Sequence, residues 1–386
     1  MKKIGQKASI VALALGMAVA GISPASAATV NLAGGGATFQ ADFQTKCLTK
    51  FNADSKANKI GTTTNNLRVT YAGVGSGGGR TGLANGTYSY AGSDGFGTTG
   101  TLTKDNSIWI PVVAAPLAIL VNLKSSTGAK ITSLRLDSLT LSQILNGTIT
   151  SWDNSQIVAL NPGVKLPSTA ITVVSRSDGS GSTGILKDFL WQSMNAVANS
   201  SLPEATKQLG LSQRNKWTKN GQTQQDEFAR GGIGMSGSPA LVAAVAAAPG
   251  RIGYADLSDV SSAVTTVTLK NVQGGWVKPT GSAAALYIKA KDVLKTSTNT
   301  TTTAKGGIYD VDYTKSVSGA YQITSITYMV AQQGKGDTYN KNVMQYANYV
   351  VSKCSVTPSS IGASGYVTIG STLLGVAKTQ IAKIDD

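Results

Sequence analysis

Three short runs of small residues recur where an alternating pattern of strands and helices turns, and they constrain this chain most. They are Gly34-Gly-Gly-Ala-Thr-Phe39, Gly73-Val-Gly-Ser-Gly-Gly-Gly79 with Asp94 shortly after, and Ser175-Arg-Ser-Asp-Gly-Ser-Gly-Ser182. Each combines glycine, which lets the main chain approach a ligand, with hydroxyls and backbone N–H groups. A helix that follows such a run adds unpaired N–H groups and the positive end of its dipole. The pattern around them is that of an α/β protein. Residues 67–71 and 170–174 read as strands feeding the second and third runs. Residues 252–255 and 321–330 are further strands. Residues 183–197 carry Ile185, Leu186, Phe189, Leu190 and Met194 at helical spacing. Residues 138–145, 239–248 and 342–351 are helices, the second with Pro239 at its start and Gly250 past its end. Residues 108–123 are apolar but interrupted by Pro111 and Pro116, and read as two strands crossing between domains. Residues 295–305 are threonine-rich and read as a surface loop.

Residues 1–27 have the form of an export signal. Lys2, Lys3 and Lys7 precede an apolar run, Ser23-Pro24 breaks it, and Ala25-Ser26-Ala27 offers a cleavage site. A membrane anchor is the alternative, but the run is short for a bilayer. No cysteine stands at the cleavage point, so lipid anchoring is not expected. The remainder, residues 28–386, is long enough for two domains.

The formal net charge is +15, with charged residues at only 14%. The basic residues are scattered singly, without the dense clusters and interleaved aromatics of a nucleic-acid binder, so no nucleic-acid partner is expected. The excess suits a field that attracts anions. The chain has no histidine and two cysteines, Cys47 and Cys354, so neither a metal site nor a cofactor is expected. In an exported chain the pair points to one disulfide; buried thiols are the alternative. Cys47 shares a helical face with Phe43 and Phe51.

The third run offers the most chemistry. Arg176 supplies a planar fork that matches a tetrahedral anion, and Asp178 is placed to orient it. Ser180, Gly181 and Ser182 would open a helix. An ordinary capped turn uses the same residues. Thr38, in the first run, is likewise an N-cap or a ligand donor. Gly73-Val-Gly75-Ser-Gly77-Gly78 fits a dinucleotide fingerprint, but a nicotinamide cofactor suits an exported protein poorly. No nucleophile–base set is visible. Asp94 beside an anion makes sense if that anion carries a proton: protonated phosphate donates to it, whereas sulfate has no proton to give. Arsenate, also tetrahedral and protonated, fits the same description.

In order and spacing these motifs resemble the extracytoplasmic phosphate-binding proteins of bacterial phosphate ABC transporters. Tyr71-Ala-Gly-Val-Gly-Ser-Gly-Gly78, Gly92-Ser-Asp94, Ile144-Leu-Asn-Gly-Thr-Ile-Thr-Ser-Trp-Asp153, Gly234-Met-Ser-Gly-Ser-Pro239 and Pro249-Gly-Arg-Ile-Gly-Tyr254 extend the match. The resemblance implies an α/β, two-lobed type II periplasmic-binding-protein fold with the ligand in the inter-lobe cleft. Its expected lobes are residues 28–115 with 266–386, and residues 116–265. It implies inorganic phosphate as ligand, held by Thr38, the Phe39 backbone N–H, Ser76, Asp94, Arg176, Ser180, Gly181 and Ser182, with Asp178 behind Arg176. It further implies permease subunits as partners, a monomer, and no catalysis. A scavenger or adhesion protein on the same fold is the alternative; a phosphate-ester hydrolase is a weaker one, lacking a visible base or metal.

Overall fold

The computed structural model describes residues 28–63, 65–197, 232–298 and 303–385. The proposed export signal, residues 1–27, lies outside the described residues, as do residues 299–302 of the threonine-rich loop.

Two parallel strands come first, β1 (Thr29–Gly36) and β2 (Asn66–Gly73), with Gly36 opposite Gly73. Helix α1 (Ala41–Ala53) joins them and buries Phe43, Cys47 and Phe51, the face that the spacing marks. β2 leads into α2 (Gly75–Ala84) and then β3 (Tyr90–Ser93), which is parallel to β1 on its other side. The glycine run of residues 75–79 is therefore helical rather than a loop. Glycine costs about 1 kcal/mol per residue in a helix, and close packing is the compensation here. A Cβ on Gly79 would stand 2.4 Å from the Gly36 Cα, so a larger residue would push α2 off β1.

Residues 108–123 form one strand rather than two: β4 (Ser107–Asn122), buried at every residue but Asn122. Residues 107–116 of β4 pair with the antiparallel β14 (Thr324–Gln332), and residues 117–122 with the antiparallel β8 (Arg251–Asp256). Its prolines do not end the strand. Pro111 lies opposite Tyr328 at a register shift, the next pair being Val113 with Thr327, and Pro116 sits at the change of partner. Proline has no N–H to give a ladder, so a bulge and a switch point are where it costs least. Beyond β8 lie the parallel strands β6 (Thr172–Arg176) and β7 (Ile233–Met235), and the path runs β2-β1-β3-β14-β4-β8-β6-β7, with β9 (Thr265–Thr266) also on β4.

Helix α3 (Ser138–Leu145) is capped by Asp137, which accepts from the Thr140 N–H at 2.8 Å; α4 (Ser155–Leu160) follows. α5 (Gly181–Val197) succeeds β6, and α6 (Ser238–Ala246) succeeds β7. A small sheet joins β5 (Arg135–Leu136), β10 (Thr268–Lys270) and β11 (Trp276–Val277). In it Thr268 and Leu269 pair with Arg135 and Leu136, and Leu269 and Lys270 with Val277 and Trp276. Part of the threonine-rich segment is a strand: β12 (Leu294–Thr296) pairs with β13 (Tyr309–Val311). Helices α7 (Gly281–Lys289) and α9 (Gly370–Ala382) have no counterpart in the sequence reading, and α8 (Asp337–Tyr349) begins five residues before the expected start.

Cys47 on α1 and Cys354, in the π turn after α8, are joined by a disulfide with a Cα–Cα distance of 5.8 Å. The Phe51 ring packs edge-on against Tyr346 and Tyr349 beside it. Chain start and chain end are thus held together at one layer of the core.

Candidate anion-binding site

The three parallel strands β2, β1 and β3 end at one edge of the sheet. Their carboxyl ends deliver Ser76, Thr38 and Asp94. The parallel strands β6, β7 and β8 deliver Arg176, Ser238 and Asp256 in the same way. In open α/β sheets ligands bind beyond such carboxyl ends. Four helical starts also open here: the 3-10 turn Thr38–Gln40 that runs into α1, then α2, α5 and α6. Each presents N–H groups that lack partners within its own helix.

The two sets of ends meet directly. The hydroxyls of Thr38 and Ser238 are 3.0 Å apart, and Arg176 Nη1 donates to both, at 3.2 and 3.1 Å. The Gly77 N–H donates to the Gly179 carbonyl at 2.7 Å. A Cβ on Gly181 would lie 2.6 Å from Asp94, so glycine is what allows the start of α5 to approach that carboxyl.

Arg176 is 1% exposed. Asp178 takes the Nε and Nη2 side of its fork, at 2.6 and 2.5 Å, and itself accepts from the Gly237 N–H at 3.1 Å. The Nη1 edge therefore faces Thr38 and Ser238. Burial works against the guanidinium charge, but the Asp178 ion pair outweighs it and holds Arg176 above its ordinary pKa. The same pair outweighs burial at Asp178 and holds that carboxyl low.

Asp94 is buried and faces opposite forces. Burial pushes its pKa up to about 6, against the pull of Thr327, Ser76, Arg176 and Arg80. Thr327 Oγ1 donates to Oδ1 at 2.6 Å, and Ser76 Oγ to Oδ2 at 3.2 Å. Thr327 stands at the register shift between β14 and β4, the kind of irregularity that re-aims a side chain. It is held in turn by Gln40 Nε2 at 2.6 Å. Arg80 Nη1 donates to Ser93 Oγ and to the Gly95 carbonyl, at 2.7 and 2.6 Å, which fixes the turn that carries Asp94.

All eight expected ligand residues and Asp178 lie in this region, and Thr38, Phe39, Ser76, Asp94, Arg176, Ser180 and Ser182 are all buried. Ser180 also caps α5, its Oγ accepting from the Thr183 N–H at 3.2 Å. Ser182 Oγ donates to Asp256 Oδ1 at 3.2 Å. The sequence reading missed Ser238, Asp256, Thr327, Arg80 and Tyr254, whose hydroxyl accepts from the Arg176 N–H at 3.2 Å. Ser238 had a signal: a hydroxyl just before a helix-starting proline repeats the logic of the other runs. Thr327 sits mid-strand and has none. Among the described residues no group of three or more Cys, Asp, Glu or His side chains suits a metal ion, and no helix is long and apolar enough to cross a membrane.

A sheet whose long strand changes partner midway, with hydroxyls, helix starts and one locked arginine converging from both sides, defines an anion-binding protein of the two-lobed kind. Residues 23–353 match the PBP superfamily domain, and the chain belongs to that superfamily, the periplasmic binding proteins. It is 28% identical over 280 residues to the phosphate-binding protein PstS of Xylella fastidiosa, covering 71% of this chain and 68% of that one. It is 24% identical over 317 residues to PstS of Haemophilus influenzae, covering 81% and 84%. A phosphate-binding protein from Stenotrophomonas maltophilia shares the fold with a TM-score of 0.60 at 20% identity, covering 91% of this chain and 93% of that one.

Proposed function

We propose that this chain is an extracytoplasmic receptor that binds inorganic phosphate between two lobes and delivers it to the permease of an ABC transporter. The observation that carries the reading is the pairing of Arg176, locked by Asp178, with a buried carboxyl, Asp94, across one crevice. The arginine answers the anion's charge, and the carboxyl accepts the anion's proton. Thr38, the Phe39 N–H, Ser76, Ser180, the Gly181 N–H and Ser182 supply the remaining donors. The relatives named for phosphate support the choice of ligand.

The lobes are the region around β1, β2 and β3 and the region around β6, β7 and β8, joined at β4 where it changes partner. The pairing of Thr268 and Leu269 with β5, and of β11 with β10, supports a second lobe that extends through Val277, with the return crossing after it. Phosphate touching both lobes stabilises the closed arrangement and shifts that population. Residues 1–27 direct export, and the closed form is what the permease recognises. Equilibrium dialysis of residues 28–386 with radiolabelled phosphate tests this reading. Saturable one-to-one binding that excess sulfate does not displace supports it; retention no greater than a control protein's refutes it.

A further inference from the structure

Two carboxyls at the site have no part in the scheme above. Asp256 ends β8 and is completely buried; Asp259 follows in the short turn Leu257–Asp259. Asp256 lies opposite Leu117, where β4 changes partner. Its Oδ1 accepts from Ser182, a proposed phosphate donor, and the carboxyl also draws on the Ser238 hydroxyl, which bonds Thr38 and Arg176. The Oδ2 atoms of Asp256 and Asp259 are buried and meet no N–H or hydroxyl donor. Each carboxyl bears on the other, and burying carboxyl oxygens that meet no donor favours a proton on the pair over two negative charges.

The groups facing the pair leave little positive charge to spare. Asp94 bears on Asp256 from the turn after β3, and Asp42 bears on Asp259 from α1. Tyr366 faces both and donates to the Phe39 carbonyl. Arg176 acts on both carboxyls, but Asp178 already holds its fork. Burial first, then Asp94, pushes Asp256 above the ordinary carboxyl range; burial first, then Asp256 and Asp42, does the same for Asp259. A phosphate anion added beside Asp94, Asp256 and Asp259, all ionised, would meet strong repulsion. A proton kept between two of them relieves it.

We propose that Asp256 and Asp259 share a proton and, through Ser182 and Ser238, set the charge the phosphate site accepts, so that phosphate binding and protonation of this pair are linked. This rests on the proposed phosphate-receptor reading. Linkage is reciprocal: bound phosphate makes the pair hold its proton more tightly, so binding draws in protons wherever the pair is partly ionised.

The test is calorimetric titration with inorganic phosphate between pH 6 and pH 9, in buffers of different ionisation enthalpy, which yields the number of protons taken up per phosphate. Wild type is compared with Asp259→Asn and Asp256→Asn. An asparagine donates its amide to the surviving carboxylate and holds it ionised, and the comparison cancels the titration of phosphate itself. The wild type is expected to take up an extra fraction of a proton, up to about one, that both variants lose. Its affinity should fall more steeply with rising pH, by up to about tenfold per pH unit. Equal proton uptake in all three proteins overturns the proposal. A wild type that binds no phosphate overturns the receptor reading and this inference with it. Infrared difference spectroscopy of the wild type covers the case in which the variants do not fold. A protonated-carboxyl band that grows on adding phosphate near pH 8 supports the pair, and an unchanged spectrum refutes it.

Discussion

Replacing Asp94 by asparagine should raise sulfate affinity by a factor that grows with pH, while phosphate weakens modestly. Asp94 titrates near 6, against an ordinary value of 3.8, chiefly because it is buried. Sulfate brings no proton at neutral pH, so Asp94 must either stay ionised beside it or take up a proton first. Two like charges about 4 Å apart repel by about 4 kcal/mol at an effective dielectric of about 20. Protonating a group that titrates near 6 costs only about 1.4 kcal/mol at pH 7 and about 2.7 kcal/mol at pH 8. The second route is cheaper, so Asp94 disfavours sulfate about tenfold at pH 7, about a hundredfold at pH 8, and hardly at all below 6. Asp94→Asn should remove that penalty. Relative to wild type, its sulfate affinity should rise by those factors, more at each higher pH. Phosphate carries its own proton, and an asparagine carbonyl still accepts it, so phosphate should weaken by no more than about tenfold. Competition calorimetry of both proteins near pH 6, 7 and 8 measures these ratios. A variant-to-wild-type ratio for sulfate that stays the same across the three would refute the reasoning.

Further predictions follow from the same geometry. Arg176→Ala removes the buried cation and strands Asp178, so phosphate binding should weaken by at least about a hundredfold; a wild-type dissociation constant would take Arg176 out of the site. Reducing the Cys47–Cys354 bond opens a loop of 307 residues. The chain-entropy account gives roughly 6 kcal/mol for it, and typical losses are about 2–4 kcal/mol, so the urea midpoint should fall clearly under reductant; an unchanged midpoint would contradict this. Asp94 holds a proton in the folded state that the unfolded chain releases near 3.8. Its contribution to ligand-free stability is therefore full at acid pH and is lost as pH rises from about 4 through about 6. Melting curves should show that decline in wild type and a shallower one in Asp94→Asn.

Most of the site is legible in the sequence because its chemistry is local. Thr38, Ser76, Arg176, Asp178 and Ser180–Ser182 each lie in a run where strand, glycine and helix start are neighbours along the chain. What is missed comes from pairing. Thr327 reaches Asp94 only because β14 lies beside β3 and shifts register against β4. Asp256 and Asp259 look like ordinary turn residues until β8 is placed against the switch point of β4. The helical glycines of α2 escape a propensity argument because their compensation is close contact with chain far off in sequence: Gly79 with β1, and Gly75 and Gly77 with Asp178 and Gly179 after β6. Pro111 and Pro116 read as breaks because proline usually ends a strand; here the sheet already has irregularities at those two positions.

The most direct measurement is a crystal structure of residues 28–386 grown with phosphate. The account predicts one phosphate between the two sets of strand ends. Arg176 Nη1, the hydroxyls of Thr38, Ser76, Ser180 and Ser182, and the N–H groups of Phe39 and Gly181 should lie within hydrogen-bond distance, with one phosphate oxygen donating to Asp94. A phosphate bound elsewhere, or one in this crevice that does not touch Asp94 and Arg176, would contradict it.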